Sequence, residues 1–292
     1  MIYLLFGVGA VCTAVSNSFI KLYRRRIADE RVKDNLYYIL MIIVALIFFG
    51  FLSGFDLRVN IKTLLFSTVY ALVAYTTVTL NMRAIEHADL VTVSIFSNSG
   101  GVLWNTLWGL VLFGEAFTVG RIVGVAAILA AIFIPYLLEA KKGMGSMRGI
   151  FYCMGIFIFS GCGQLVVKLY SLAENVMSNS VFCFYTNIIL IPFVFLILKR
   201  RSDIGAVVKD ILRVDKKSLV FLSLALLLAN VVTILSMFIV ERVDLIIYTV
   251  AEKSLTIIST AVVSGILFRE RFTAMKLTSI IFLMVAVIAS FT

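Results

Sequence analysis

Residues 112–118 read LFGEAFT and residues 267–273 read LFRERFT, so two closely similar heptapeptides stand 155 positions apart. The similarity continues without a gap on both sides, because residues 81–135 align with residues 236–290 at the same offset. Identical polar pairs in this window are Glu86 with Glu241, Asp89 with Asp244 and Ser99 with Ser254. A shared apolar composition does not produce polar identities, so the window indicates an internal duplication.

A second match links the beginnings of the two copies. Lys21-Leu22-Tyr23 corresponds to Lys168-Leu169-Tyr170 at an offset of 147, and Asn17 then corresponds to Gln164. The sequence therefore predicts two copies of one unit within a single membrane domain, residues 1–146 and residues 147–292.

The composition decides the environment of the chain. Of 292 residues, 62% are hydrophobic and 14% are charged, and the mean hydropathy is +1.08. Soluble domains are roughly 45–50% apolar and about 25% charged, so a water-soluble fold is excluded. Long apolar runs with only two prolines favour membrane-crossing helices over a β-barrel, whose strands alternate in polarity.

The hydropathy pattern predicts ten crossing segments, at residues 2–20, 37–54, 62–82, 90–113, 120–138, 149–170, 179–198, 218–240, 245–268 and 275–291. Each copy holds five of them. Because five is odd, a fused second copy crosses the membrane in the opposite sense. We expect an all-α membrane protein whose ten transmembrane helices form two inverted five-helix repeats.

The charges of the connections agree with this inversion. Those after segments 1, 3, 5, 7 and 9 carry 20 of the 26 Lys and Arg residues, and the others carry four. The positive-inside rule places the basic connections in the cytoplasm and both termini outside, in what we expect to be a bacterial plasma membrane. The net charge of +10 then reflects orientation and contact with the lipid bilayer rather than a nucleic-acid partner.

Residues for bond-making chemistry are scarce. The four cysteines lie in apolar runs without a CxxC pair, and the lone histidine, His87, lies in a short connection. No phosphate-binding loop, zinc signature or nucleophile with a base occurs in the sequence. We expect no enzyme activity, no cofactor and no metal site.

The duplicated segments resemble the EamA-type branch of the drug/metabolite transporter superfamily. They are residues 84–90 and 112–118, their copies 239–245 and 267–273, and the lysines Lys21 and Lys168. The resemblance implies a secondary carrier that works by alternating access. Many relatives have a proline in segments 4 and 9, where Ser99 or Gly100 and Ser254 or Leu255 stand here. A helix break in segment 4 is therefore expected at Gly100-Gly101 or not at all. Many relatives also keep their termini in the cytoplasm, opposite to the orientation that the charges predict here.

Polar side chains inside apolar segments mark candidate binding positions, because they are costly in hydrocarbon unless they face a cavity or a partner. In segment 4, Ser94, Asn98, Gly101 and Asn105 share one helical face, and the 155 offset turns them into Thr249, Lys253, Thr256 and Thr260. If segments 4 and 9 face each other, these residues form a polar cavity near the membrane midplane.

Two ionisable residues lie in segment 9. Lys253 belongs to the polar face, and Glu252 directly precedes it. Lys253 either contacts a carboxylate or phosphate of the substrate or forms an internal ion pair with another helix. Glu252 either couples transport to protons, or binds a cation, or bonds to a neighbouring hydroxyl. Consecutive helical residues diverge by about 100°, so we expect the two to serve different surroundings.

Other candidate binding residues carry aromatic or amide side chains. Trp104 either stacks on a substrate ring or packs against lipid, and Tyr75 and Asn230 either line the cavity or bond between helices. At the ends of segments 1 and 6, a gate or helix-end role is expected for Asn17, Lys21, Gln164 and Lys168.

The repeated connections supply helix caps. Asp89 and Asp244 precede segments 4 and 9, and Thr118 and Thr273 precede segments 5 and 10, at positions suited to N-caps. Glu115 and Glu270 belong to the same turns. Gly120 and Gly124 in segment 5 predict a close helix contact, either inside the bundle or in a homodimer through segment 5 or segment 10.

These patterns favour a carrier of a small polar or anionic organic metabolite. A drug or organic-cation exporter is the alternative within the same superfamily, on account of Glu252 and Trp104. A membrane-embedded enzyme or a channel is the least expected function.

Overall fold

The computed structural model describes residues 2–27, 29–87, 90–116, 118–139, 147–201, 214–268 and 274–291. Within these ranges all regular secondary structure is helical. The helices are α1 (Ile2–Arg26), α2 (Glu30–Ser53), α3 (Ile61–His87), α4 (Leu90–Val111), α5 (Val119–Glu139), α6 (Met147–Phe159), α7 (Cys162–Leu172), α8 (Asn179–Arg201), α9 (Lys216–Val240), α10 (Leu245–Phe268) and α11 (Ala274–Ser290).

Each of the ten predicted segments coincides with a helix, with two kinds of difference. Segment 6 is divided into α6 and α7 by a turn at Ser160 and Gly161. α1 and α2 extend into the polar residues beyond the predicted boundaries at 20 and 37. Hydropathy detects only the apolar part of a helix, whereas three arginines in the last turn of α1 are compatible with its negative dipole end.

Seven helical stretches of the described chain are long and apolar enough to cross a membrane, and one of these consists of α6 and α7 together. They are Leu4–Arg26, Val32–Ser53, Ile61–Asn81, Met147–Leu172, Asn179–Leu196, Lys216–Val240 and Leu245–Leu267. Shorter apolar stretches occur in α5 and α11. The chain is therefore an all-helical integral membrane protein.

The helices pack in a pattern that recurs between the two parts of the chain. α1 packs on α9 and α10, and the pair α6 and α7 packs on α3 and α4. Further contacts join the parts directly, namely those of α2 with α8 and α9, of α3 with α8, of α4 with α10, and of α5 with α10 and α11. This arrangement leaves α2, α3, α8 and α9 around one central space.

The small residues of α5 lie inside the bundle. Gly124, Ala127 and Ala131 are buried, and the alanines belong to a core cluster that includes Leu283 and Ala286 of α11. The sequence allows this small-residue face either a contact inside the bundle or a homodimer interface. The structure shows the contact inside the bundle. A homodimer through α5 or α11 stays a prediction and requires another face of these helices.

α4 runs through Gly100 and Gly101 without interruption, so no break occurs there. The glycines instead permit a close approach to the turn between α6 and α7. A Cβ atom at Gly100 would collide with the Phe157 carbonyl oxygen and would lie 2.6 Å from Ser160 Oγ. A Cβ atom at Gly161, in that turn, would lie 2.5 Å from Trp104 Cβ.

Replacing Gly100 with alanine is expected to destabilise the protein by about 1–3 kcal/mol, because the new methyl group collides with backbone atoms of α6. The adjacent variant Gly101→Ala is the matched control, since its Cβ meets only the Ser160 carbonyl oxygen at 3.9 Å. Thermal unfolding of both purified proteins in one detergent measures the difference. Equal midpoints for the two variants contradict the close contact at Gly100.

Candidate functional site

A cavity of about 260 Å³ lies between α2, α3, α8 and α9. Its lining residues come from both predicted copies. Three pairs in this lining are separated by 155 positions, the offset of the sequence repeat: Ala74 with Ala229, Tyr75 with Asn230, and Val78 with Thr233. Corresponding positions of α3 and α9 therefore face the same space.

The two sides of the cavity differ in chemistry. The side formed by α2 and α3 is aromatic, with Tyr37, Tyr38, Phe49, Tyr70 and Tyr75 in the wall. The side formed by α8 and α9 carries two amides and two hydroxyl groups, from Thr186, Asn187, Asn230 and Thr233. None of the described lining residues is charged.

Several polar groups of this wall use their donors within their own helices. Asn187 Nδ2 donates to the Cys183 carbonyl oxygen at 2.8 Å, and Thr186 Oγ1 donates to the Phe182 carbonyl oxygen at 2.9 Å. Thr233 Oγ1 donates to the Ala229 carbonyl oxygen at 3.0 Å. The oxygen atoms of these side chains keep free lone pairs, so each of the three residues presents an acceptor, and Asn187 also retains one of its two amide N–H donors.

A smaller cavity of about 110 Å³ adjoins the first and shares Tyr70, Cys183 and Thr233 with it. It extends to Gln164 of α7 and Ser236 of α9. Both residues lie near the buried side chain of Tyr248 in α10. A polar cluster therefore closes the central space toward α7 and α10.

The polar stripes of α4 and α10 meet each other directly. Asn105 Nδ2 donates to Thr249 Oγ1 at 3.0 Å, and both side chains are about 1% exposed. Asn98 and Thr256 are half-buried, and neither belongs to the two cavities. The side chain of Ser94 lies outside the described part of the structure. The stripe thus forms a helix contact where a cavity was expected.

Glu252 and Lys253 pair with each other, with Lys253 Nζ 3.2 Å from Glu252 Oε2. The expectation that they serve different surroundings is wrong. Their Cβ atoms diverge on the helix, but the side chains are long enough to bend together, and pairing lowers the cost of both charges among apolar groups. Neither residue lines a described cavity.

Trp104 and Trp108 stack on each other, with ring centroids 5.2 Å apart and an interplanar angle of 23°. Both indole N–H groups are buried and have no hydrogen-bond partner among the described residues. The ring of Trp104 does not line either cavity.

A group of charged residues surrounds the turn between α9 and α10. Glu115 accepts hydrogen bonds from the backbone N–H groups of Leu245 and Ile246, the latter at 2.9 Å. Glu115 therefore caps the N-terminus of α10, a helix of the other predicted copy. Asp244, expected as that cap, instead forms an ion pair with Arg121 of α5.

Lys168 closes the same turn from the other side. Its Nζ donates to the carbonyl oxygens of Val240 and Val243, both at 2.8 Å, and the side chain is buried. The sequence analysis assigns Lys168 a gate or helix-end role at the end of segment 6, whereas the two carbonyls that it binds belong to the C-terminal end of α9 and the turn after it. We call Glu115, Arg121, Lys168 and Asp244 the α9–α10 clamp.

The remaining predicted residues lie in α1 and before α5. Thr118 Oγ1 accepts from the Arg121 backbone N–H at 3.3 Å, the contact that an N-cap makes. Asn17 is exposed and Lys21 is half-buried, and both precede the end of α1, which continues to Arg26. The expected caps Asp89, Glu270 and Thr273 lie outside the described residues.

One ion pair lies in the connection between α2 and α3. The Arg58 guanidinium, 2.7 Å from Asp56, lowers the pKa of the Asp56 carboxyl group to about 2. Asp56 therefore stays ionised at neutral pH, and its pairing is lost only as the pH falls toward 2. Among the described residues, no group of three His, Cys, Asp or Glu side chains could hold a metal ion.

No protein-family model and no curated protein matches the sequence. Among solved structures, one crystal structure of a protein matches 98% of this chain and 95% of its own length, with a TM-score of 0.70 and 14% sequence identity. At this identity the match shows the fold alone. The helical arrangement is therefore shared with a solved structure over nearly the whole length of both chains.

Proposed function

We propose that the protein is a secondary carrier of a small polar organic solute, which works by alternating access between two inverted five-helix repeats, residues 1–146 and 147–292. The observation that carries the proposal is the central cavity, whose wall contains residues of α3 and α9 at the repeat offset. A binding site shared by two inverted copies can be exposed to either side when one copy rocks against the other.

The helix packing supports the duplication. An offset of five segments relates α1 to the pair α6 and α7, α3 to α9, and α4 to α10. The contacts of α1 with α9 and α10 then correspond to those of α6 and α7 with α3 and α4. This equivalence and the sequence repeat favour ten crossings, with α4, α5 and α11 added to the seven stretches. They also favour membership in the EamA-type branch of the drug/metabolite transporter superfamily.

The orientation follows from the connection charges. With the basic connections in the cytoplasm, both termini and the α9–α10 clamp lie outside. The repeat offsets relate the clamp residues Lys168, Glu115, Arg121 and Asp244 to Lys21, Glu270, Lys276 and Asp89. We assign the two groups to gates on opposite sides of the membrane, with the outer gate closed in this structure.

The positions of the predicted site residues favour a different class of solute from the one that the sequence predicts. An anionic metabolite was expected mainly because of Lys253, and an organic cation because of Glu252 and Trp104. Lys253 and Glu252 form an ion pair outside the cavity, and Trp104 stacks on Trp108. We therefore place the solute among the central residues, which include the predicted Tyr75 and Asn230, with Gln164 in the adjoining cavity.

Exchange in liposomes tests the carrier function. The purified full chain is reconstituted, and counterflow is measured for a nucleoside, a neutral amino acid, a hexose, a sugar phosphate and a quaternary amine. We expect saturable accumulation of at least one uncharged solute, reduced at least tenfold by Asn230→Leu. Protein-free liposomes are the control. Unitary currents in planar bilayers, or the absence of exchange for every solute, contradict a carrier.

A further inference from the structure

We propose that the central cavity selects an uncharged solute that has one flat aromatic ring and N–H or O–H donors along one edge. This inference rests on the proposed carrier function and specifies its substrate class. It follows from three properties of the cavity: the size, the absence of charge in the described wall, and the division of the wall into two chemically different sides.

The size limits the solute. Sites for drug-sized ligands are typically about 300–1,000 Å³, whereas this cavity has about 260 Å³. A solute with one or two fused rings fits this volume, and a multi-ring drug does not. The second cavity, of about 110 Å³, shares the wall residues Tyr70 and Thr233 with the central one.

The lining of the central cavity disfavours the binding of a charged solute. A charge taken out of water is costly unless an opposite charge or several hydrogen bonds compensate it. The described lining contains no carboxylate, ammonium or guanidinium group. The ion pair of Glu252 and Lys253 is internally neutralised and lies outside both cavities. An uncharged solute is therefore bound without an unpaired buried charge.

The two sides of the wall indicate the shape of the solute and the position of its hydrogen-bond donors. Aromatic rings such as Tyr70 and Tyr75 offer flat apolar surfaces on the α2 and α3 side. Across the cavity, the Thr233 hydroxyl and one of the two Asn187 amide N–H groups donate to carbonyl oxygens of their own helices. The oxygens of both side chains remain as acceptors, and the Asn230 amide adds a further carbonyl acceptor and two N–H donors. The complementary molecule carries donors on the edge that faces α8 and α9.

The repeat shows how this asymmetry arises. Tyr75 and Val78 of α3 correspond to Asn230 and Thr233 of α9 at the 155 offset. One ancestral wall position thus carries an aromatic ring in the first copy and an amide in the second. The first copy provides the stacking surface, and the second copy provides the hydrogen-bonding surface.

Four benzene derivatives test the inference, because they share the ring and differ in one group. Benzamide is neutral with N–H donors, N,N-dimethylbenzamide lacks the donors, benzoate is an anion and benzamidinium is a cation. Binding to the purified full chain is measured by calorimetry and by thermal stabilisation. We expect benzamide to bind at least tenfold more tightly than each of the other three.

Two variants locate the site. Asn230→Leu is expected to weaken benzamide binding about tenfold, which corresponds to about 1.4 kcal/mol and to one lost hydrogen bond. Thr233→Val removes a cavity acceptor, and Thr68→Val is its matched control. The Thr68 hydroxyl makes the same bond within its helix, to the Leu64 carbonyl oxygen, but does not line the cavity. Unliganded melting curves verify that each variant is folded.

The outcomes separate the substrate class from the carrier function. Tighter binding of benzoate or benzamidinium, equal binding of N,N-dimethylbenzamide, or no binding of any derivative overturns the substrate class. In those cases liposome exchange of another solute still supports the carrier. Benzamide binding that is lost in Asn230→Leu but accompanied by no exchange supports the substrate class and overturns the carrier.

Discussion

The variant Lys168→Met is expected to lose about 3 kcal/mol of stability, one of the largest effects in this protein. The Lys168 ammonium donates two charged hydrogen bonds, to the carbonyl oxygens of Val240 and Val243. Hydrogen bonds to charged groups contribute about 1.5–3 kcal/mol each, and their loss leaves buried acceptors without partners. Methionine is an unbranched apolar side chain that reaches as far as the lysine Cε, so the substitution removes the ammonium group with its charge and its donors.

Lys62→Met is the matched control for this experiment. The Lys62 ammonium also donates to a carbonyl oxygen, that of Glu174 at 3.0 Å, but this contact is exposed. We expect a change within about 0.5 kcal/mol for this surface substitution. Unfolding of both variants and the parent is followed in the same detergent by heating and by denaturant. If Lys62→Met and Lys168→Met destabilise equally, the burial of the Lys168 contact has no energetic consequence.

The position of Lys168 near the end of segment 6 could be predicted from the sequence, whereas the partners of Lys168 and of the other clamp residues could not. The duplication placed Lys168 and Lys21 at equivalent ends of the first segments of the two copies. Glu115 was assigned to the turn in which it lies, yet its carboxylate binds Leu245 and Ile246, 130 and 131 residues away. Local capping rules identify a residue type that suits a helix start, but they do not identify which helix start it reaches in the bundle.

A similar limit explains why the sequence did not predict which helices line the cavity. The periodicity of segments 4 and 9 predicted a polar face on each, and Asn105 and Thr249 do face each other. Periodicity does not distinguish two faces separated by a cavity from two faces in contact. The central lining comes from α2, α3, α8 and α9, where Asn187, Thr233 and Tyr70 were not selected from the sequence. Comparison of the two copies offered a signal, since Val78 changes to Thr233 at the repeat offset.

Arg121 was missed for a similar reason. It lies in the first turn of segment 5, three residues after Thr118, and local patterns do not identify a partner for it there. The repeat again held a signal, because position 276, which corresponds to Arg121, is also basic. A basic residue preserved in both copies at the start of a membrane segment indicates a partner, and the structure identifies Asp244 as that partner.

The clamp combines contacts of two kinds. Lys168 and its acceptors in Val240 and Val243 all belong to the second predicted copy, so these bonds stabilise that part of the chain internally. Glu115 and Arg121 belong to the first predicted copy and bind Ile246 and Asp244 of the second. In the alternating access that we propose, only the contacts between the copies must break when one copy rocks against the other. Variants of Lys168 therefore report stability, and variants of Glu115 report the conformational equilibrium.

Glu115→Ala is expected to shift the protein toward an outward-open state about tenfold or more. The substitution removes a carboxylate that accepts from two backbone N–H groups of α10, and a change of about 1.4 kcal/mol corresponds to tenfold in the equilibrium. Cys183 is a suitable reporter, because it lines both cavities and is buried in the closed arrangement.

The measurement uses a protein in which Cys183 is the only cysteine and a membrane-impermeant maleimide added from the outside. We expect labelling of Cys183 to be at least tenfold faster in Glu115→Ala than in the parent. Asp56→Ala is the control, since its carboxylate pairs with Arg58 within one connection and joins no helices of different copies. Unchanged labelling in Glu115→Ala, or faster labelling only from the cytoplasmic side, contradicts the assignment of the clamp as the outer gate. Faster labelling from outside, slowed again by benzamide, is expected because the solute and the maleimide reach Cys183 by the same opening.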